Sequence, residues 1–292
     1  GNYIKAGGGT QTLTGNNTYT GSTTIASGKL KILNDNPTPY LQATSGFTGP
    51  GNLSIVNSSS NFSASVSTSD ITLTGTAIGQ LTIGLSPNST IIYIDSNITT
   101  AAKQSYRGPI VVKGGNRTLT STGGGIYLQN TVNSDGTPRG LTLTSDGTTK
   151  FTHAVGGSAP LSTLTVNANK LTAQDAITLN GALTATLGGS STISGVIANG
   201  GGGTANLVKA GSGTLTLSAS NTYTGTTAIN AGDLTVSGSL HDDTAVSIAS
   251  GADYNVNASD TVASIEGAGD IVLASSQTLT AGDGNDKTFS GV

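Results

Sequence analysis

Lys209 to Val236 reads KAGSGTLTLSASNTYTGTTAINAGDLTV, and Lys5 to Ile32 reads KAGGGTQTLTGNNTYTGSTTIASGKLKI. The two stretches align without a gap at an offset of 204 residues and agree at 16 of 28 positions. Shared composition does not produce such agreement. A unit this short cannot bury its own apolar face, so its recurrence points to stacked units that bury a continuous core between them.

The pattern inside each copy is strand, glycine turn, strand. Leu215 and Leu217 alternate with Thr214, Thr216 and Ser218, and Ile229, Leu234 and Val236 repeat the period of two. That period marks a strand with one buried face. Gly211, Gly213, Gly225 and Gly232 punctuate the runs where turns need unusual backbone angles. Similar runs lie between the copies, among them ITLTGTAIGQLTI (Ile71 to Ile83), PIVV (Pro109 to Val112), LTLTS (Leu141 to Ser145) and AITLNGALTATL (Ala176 to Leu187). No segment shows a helical period with caps. Strands with only two or three apolar side chains each are not stable alone. The expected fold is therefore all-β: one continuous right-handed parallel β-helix, a β-solenoid, over residues 1–292. A coil of roughly 20 residues predicts about 14 or 15 coils and, at roughly 4.8 Å each, a rod about 70 Å long. Threonine, serine and asparagine ladders are expected to hydrogen-bond up its outside. A β-sandwich would carry larger core residues and more aromatics than four Phe, eight Tyr and no Trp.

Composition agrees. Forty-three Gly, 9% charged residues and 34% apolar residues at a net charge of −3 describe a turn-rich fold with a thin core rather than a disordered tail. There is no Cys, hence no disulfide framework and no thiolate metal site. Met is absent even at position 1, so the chain reads as a processed or excised segment. No stretch approaches the roughly 18 consecutive apolar residues of a membrane helix. Charge is uneven: residues 231–292 hold nine acids and one base, residues 1–230 six acids and eleven bases. Lys and Arg are not clustered among aromatics, which argues against a nucleic-acid partner.

Both repeat copies strongly resemble the passenger-associated β-strand repeat of bacterial autotransporters. The tail DGNDKTFSGV (Asp283 to Val292) is similar to the run that leads into a further copy, and about residues 98–187 resemble the repeats of haemagglutinin-like exoproteins. The resemblance implies a β-helix on, or released from, a Gram-negative cell: an adhesin passenger or stalk at the extracellular surface. It implies no particular ligand, since such repeats are scaffold.

β-Helices also carry polysaccharide-cleaving enzymes, which need paired carboxylates facing one groove. Asp242 and Asp243 are adjacent and fit a polar turn after Leu240; Asp253, Asp260 and Asp270 could align across coils. No GxSxG, HExxH, P-loop or GxGxxG occurs, and His153 and His241 are far apart. The chain is therefore read as a non-enzyme with no cofactor, a polysaccharide-active β-helix being the minor alternative. AGDGNDKTF (Ala281 to Phe289) partly matches a calcium-binding nonapeptide, making Asp283 and Asp286 weak metal candidates, but a single imperfect copy favours a turn. Asn-x-Ser/Thr triplets such as Asn61, Asn97 and Asn257 follow from composition. Candidate contact loops are the less repeat-like Leu33 to Gly51, with Pro37, Pro39, Tyr40 and Phe47, and the loop of Asp135 and Arg139. The expected partner is a surface receptor, a glycan or a neighbouring cell, with self-association as a further possibility; a structural fibre, sheath or surface-layer subunit is the alternative role. Asn-Thr-Tyr-Thr-Gly at 17–21 and 221–225 is read as a coil marker, its Tyr ring packed along the stack and its hydroxyl at water or a backbone carbonyl.

Overall fold

A computed structural model describes residues 2–14, 23–33, 47–48, 51–56, 66–67, 79–84, 91–282, 284 and 286–292. Among these residues there is no helix, and parallel strands stack turn upon turn into a β-solenoid.

One inward column can be followed through the register: Leu13, Ile32, Ile55, Ile83, Tyr106, Leu128, Phe151, Ala173, Ile193, Leu217, Val236, Val256 and Leu273. The alternation in sequence puts these side chains inside, except Leu273 at the last turn, which is 46% exposed, and their Thr, Lys and Asn neighbours outside. Successive members are 17 to 28 residues apart, giving twelve steps and a ladder of roughly 58 Å at about 4.8 Å per step. The solenoid thus has fewer turns than the 14 or 15 a 20-residue coil predicts. Turns of unequal length, such as the 28 residues from Ile55 to Ile83, account for the difference.

The core is not wholly apolar. Gln104, Thr149 and Ser191 occupy inward positions, and each is partnered, as a buried polar group requires. Gln104 Nε2 donates to the Thr120 carbonyl (2.7 Å) while its Oε1 accepts from the Tyr106 hydroxyl (2.8 Å). Thr149 meets Ser145 hydroxyl to hydroxyl at 3.1 Å, and Ser191 Oγ accepts the Leu171 N–H at 2.9 Å.

Among the described residues, the two repeat copies share the geometry of their lysine and glycine turns. Gly28 and Gly232 both have positive φ, 69° and 61°. A Cβ on Gly28 would lie 2.5 Å from the carbonyls of Gly7 and Gly9; one on Gly232 would lie 2.6 Å from those of Gly211 and Gly213. Turns pass so closely here that only glycine fits. Lys5 and Lys209 are buried, and their ammonium groups point at corresponding carbonyls. Lys5 Nζ donates to Ala6 (2.8 Å), Gly7 (2.6 Å) and Ser27 (3.1 Å); Lys209 Nζ donates to Ala210 (3.1 Å), Gly211 (2.8 Å) and Ala231 (2.9 Å). The third carbonyl in each set belongs to the following turn, so this lysine pins two turns together.

The expected outer ladders are relocated. Beside a few bonds on the strand faces, asparagines at the corners make inter-turn bonds: Asn97 Oδ1 accepts the Thr118 N–H (2.9 Å), Asn116 Oδ1 that of Gly140 (2.8 Å) and Asn206 Oδ1 that of Thr226 (2.8 Å). On the strand faces the backbone already supplies the bonds between turns.

Candidate functional site

The predicted contact loop at Asp135 and Arg139 holds itself together. The Asp135 carboxylate takes two bonds from the Arg139 guanidinium, Nε at 3.0 Å and the second nitrogen at 3.2 Å, and accepts the N–H groups of Gly114 (3.0 Å) and Thr137 (3.3 Å). The Arg139 hydrogen bond, followed by that from Gly114, lowers its pKa to about 2. Ser134 Oγ accepts the Arg139 N–H and donates to the Pro160 carbonyl. The groups that could greet a ligand are occupied in shaping the turn. Pro37, Pro39 and Tyr40 lie outside the described residues; Phe47 begins a short strand paired with Thr23.

At the other end, Asp283 lies outside the described residues. Asp286 is exposed on the rim of an open groove of about 580 Å³, beside the ion pair of Lys287 and Glu266 at 3.0 Å. Among the described residues no cluster of three or more His, Cys, Asp or Glu has metal-binding geometry. Asp242 and Asp243 sit in the expected turn, where His241 Nδ1 accepts the Asp243 N–H (3.1 Å).

Asp260 is a buried carboxylate at the edge of a second, hydroxyl-lined groove of about 340 Å³. Burial raises its pKa, opposed by the N–H groups of Leu240 (2.9 Å) and Thr261 (3.0 Å). It pairs in register with Leu279 and so does not align with Asp253 and Asp270. Those two do align, and Asp233 joins them: Thr214, Asp233, Asp253 and Asp270 occupy one outward column on successive turns. Thr214 Oγ1 donates to Asp233 Oδ2 at 2.9 Å. Burial first, then the charges of Asp233 and Asp270, raise the Asp253 pKa.

The same face carries the opposite charge nearer the middle of the ladder. Thr148 and Lys170 stand one above the other in this column, and Lys103 precedes the paired Gln104 lower down. The adjacent outward column runs Ser105, Tyr127, Lys150, Thr172, Thr192, Thr216, Thr235, Asn255. The Lys103 ammonium lies 5.2 Å from the centre of the Tyr127 ring, within cation–π range. This face is thus basic toward the middle, hydroxyl-lined beyond it and acidic toward the C-terminal end.

In the second copy the NTYTG segment packs into the stack. Tyr223 is fully buried, and its hydroxyl meets the Thr227 hydroxyl at 2.6 Å rather than water or a backbone carbonyl. Thr227 is itself fully buried on the next strand, which brings its hydroxyl to the ring's end. Burial raises the Tyr223 pKa above the ordinary phenol range. Asn221 bridges turns: Oδ1 accepts the Ile197 N–H (3.0 Å), and Nδ2 donates to the carbonyls of Ala219 and Ser239 (both 3.0 Å). Asn17 and Tyr19 lie outside the described residues.

The sequence reading missed the buried lysines and the column of Asp233. The lysines carry a signal: each stands at an inward position paired with an apolar residue, Lys5 with Ile25 and Lys209 with Ile229. Burial lowers the Lys209 pKa, partly offset by the Asp233 charge.

The sequence model of the passenger-associated-transport-repeat family matches residues 4–32 and 207–236. These are the two copies whose lysine and glycine geometry coincides, and together with the solenoid they fit an autotransporter passenger domain built of β repeats. No curated protein and no solved structure matches the chain.

Proposed function

We propose that this chain is part of an extracellular adhesin passenger, a rigid rod at a bacterial surface that spaces and presents contact surfaces toward a receptor, a glycan or another cell. One observation carries the reading: the two matched repeats adopt the same lysine-pinned, glycine-cornered turn at distant points of one ladder. Such repetition serves length and rigidity rather than a catalytic constellation. The histidines support this: His153 is exposed, and His241 bonds within its own turn. A fibre or surface-layer subunit is the second reading, favoured by the regular outward columns.

Surface display tests it. In cells producing the full-length protein, added protease should remove this segment without lysis, and deleting residues 91–282 should reduce attachment. A segment protected until lysis would sink the reading. A regular lattice around cells whose attachment is unchanged by the deletion would favour the second.

A further inference from the structure

We propose that the charged strand face docks onto the same face of a second copy of this chain, with the two rods antiparallel about a two-fold axis through the turn of Thr192. The outward columns are the basis. Counting turns from Thr192, Thr172 and Thr216 lie one turn away on either side, Lys150 and Thr235 two, Tyr127 and Asn255 three. In the neighbouring column Asp233 shares the turn of Thr235, and Lys103 and Asp270 are the fourth turns out. An antiparallel partner therefore sets Lys103 against the partner's Asp270, and Lys150 against the turn of the partner's Asp233. The threonines around the axis face threonines, and hydroxyls both donate and accept. A parallel pair in register would set lysine on lysine and aspartate on aspartate. An isologous contact needs such a self-complementary surface.

The acidic column has a reason to take a partner. Asp233, Asp253 and Asp270 are stacked one turn apart, and like charges directly opposite each other destabilise a sheet. The nearby Lys209 does not neutralise them directly, because its ammonium is bonded to the carbonyls of Ala210, Gly211 and Ala231. At the basic end the face also carries Arg107 and Lys170, with Asp146 as the acid at the corner beside Gly147. From Lys103 to Asp270 there are eight steps, roughly 38 Å, and a five-residue strand is roughly 16 Å wide. The strip offers about 600 Å² per partner, somewhat below the standard of about 800 Å². A weak, salt-sensitive dimer is the expected result.

Sedimentation velocity on the 292-residue chain tests this. At about 0.02 M NaCl the mass should be that of two chains, and at about 0.5 M NaCl that of one. Lys150→Glu and Asp233→Lys should each abolish the dimer, with circular dichroism unchanged. Combined in one chain they should restore it to within about tenfold of the original Kd, because each reversed charge again meets its opposite. A monomer at low salt, a dimer indifferent to either substitution, or a double variant that stays monomeric would each overturn the proposal. So would low-salt monomers that bind an acidic polysaccharide such as alginate through Lys150, since the basic end would then serve a polyanion. The assay needs no cell, so its failure leaves the surface-adhesin reading standing, and failure of protease accessibility leaves the dimer standing.

Discussion

Where both are described, the two repeat copies share their turn geometry and differ in the face they turn outward. Lys5 and Lys209, with the glycine carbonyls they bond, and Gly28 and Gly232 are equivalent in sequence and in contacts. One step outward the equivalence ends. Lys29 stands between Thr10 and Asn52 in the first copy, whereas Asp233 stands between Thr214 and Asp253 in the second. The same position of the same turn carries opposite charge. Positions that hold turns together are thus constrained by close packing and buried hydrogen bonds, while outward strand positions are free to set what the rod meets.

The largest break in this scheme should come from Tyr223→Ala in the second copy. It removes a fully buried ring and leaves the buried Thr227 hydroxyl without its partner. A loss of about 3–5 kcal/mol is expected, read as a lower denaturation midpoint by circular dichroism. Attachment by protein that remains folded should be unchanged. Lost attachment at full stability would make the pentapeptide a site after all.

Next come the corner glycines. Gly232→Val adds a side chain at positive φ against two carbonyls, and about 2–4 kcal/mol is expected from backbone strain and overpacking together. If the copies are equivalent, Gly28→Val should cost a similar amount. A midpoint shift confined to one of them would break the comparison at its root.

The lysines sharpen it. Lys209→Met keeps the aliphatic stem but leaves the carbonyls of Ala210, Gly211 and Ala231 without the ammonium, at a cost of about 1–3 kcal/mol. Lys5→Met should do the same to Ala6, Gly7 and Ser27. Hydrogen exchange localises the effect, since amides of the pinned turns should lose protection before those of distant turns. Unchanged protection at Gly211 and Ala231 would show that the lysine is not a pin.

The strand-and-turn character, the stacking and the equivalence of the copies were legible in sequence because they rest on periodicity, which is local. Faces were not, because they depend on register between turns, and the turns vary from 17 to 28 residues. Asp253 and Asp270 were seen as able to align, yet Asp233 joins them and Asp260 does not, since the turns between decide which acids meet. The lysine pin was hidden for another reason. A lysine in an alternating run reads as outward, and only its pairing with Ile25 or Ile229 reveals that it points in. At the Asp135–Arg139 loop the sequence offers the charges but not whether they face a ligand or each other, which is a matter of geometry.

The smallest effect tests the outward difference itself. Asp253 has a raised pKa in the folded chain, from burial and then from the charges of Asp233 and Asp270. Between the unfolded value, about 3.9, and the raised folded value, the native state binds more protons than the unfolded state. Stability of the monomer should therefore fall as pH rises through that window, and the repulsion should persist above it. Asp253→Asn removes the middle charge of the stack, so the variant should lose this part of the pH slope and denature at a slightly higher midpoint near neutral pH. Lys29→Asp in the first copy is the control: its register neighbours are Thr10 and Asn52, so it places a carboxylate at the equivalent position without stacked acids and should add no such slope. Equal slopes for Asp253→Asn and the parent would mean that the stacked carboxylates do not feel one another, and the acidic column would then be three independent surface charges.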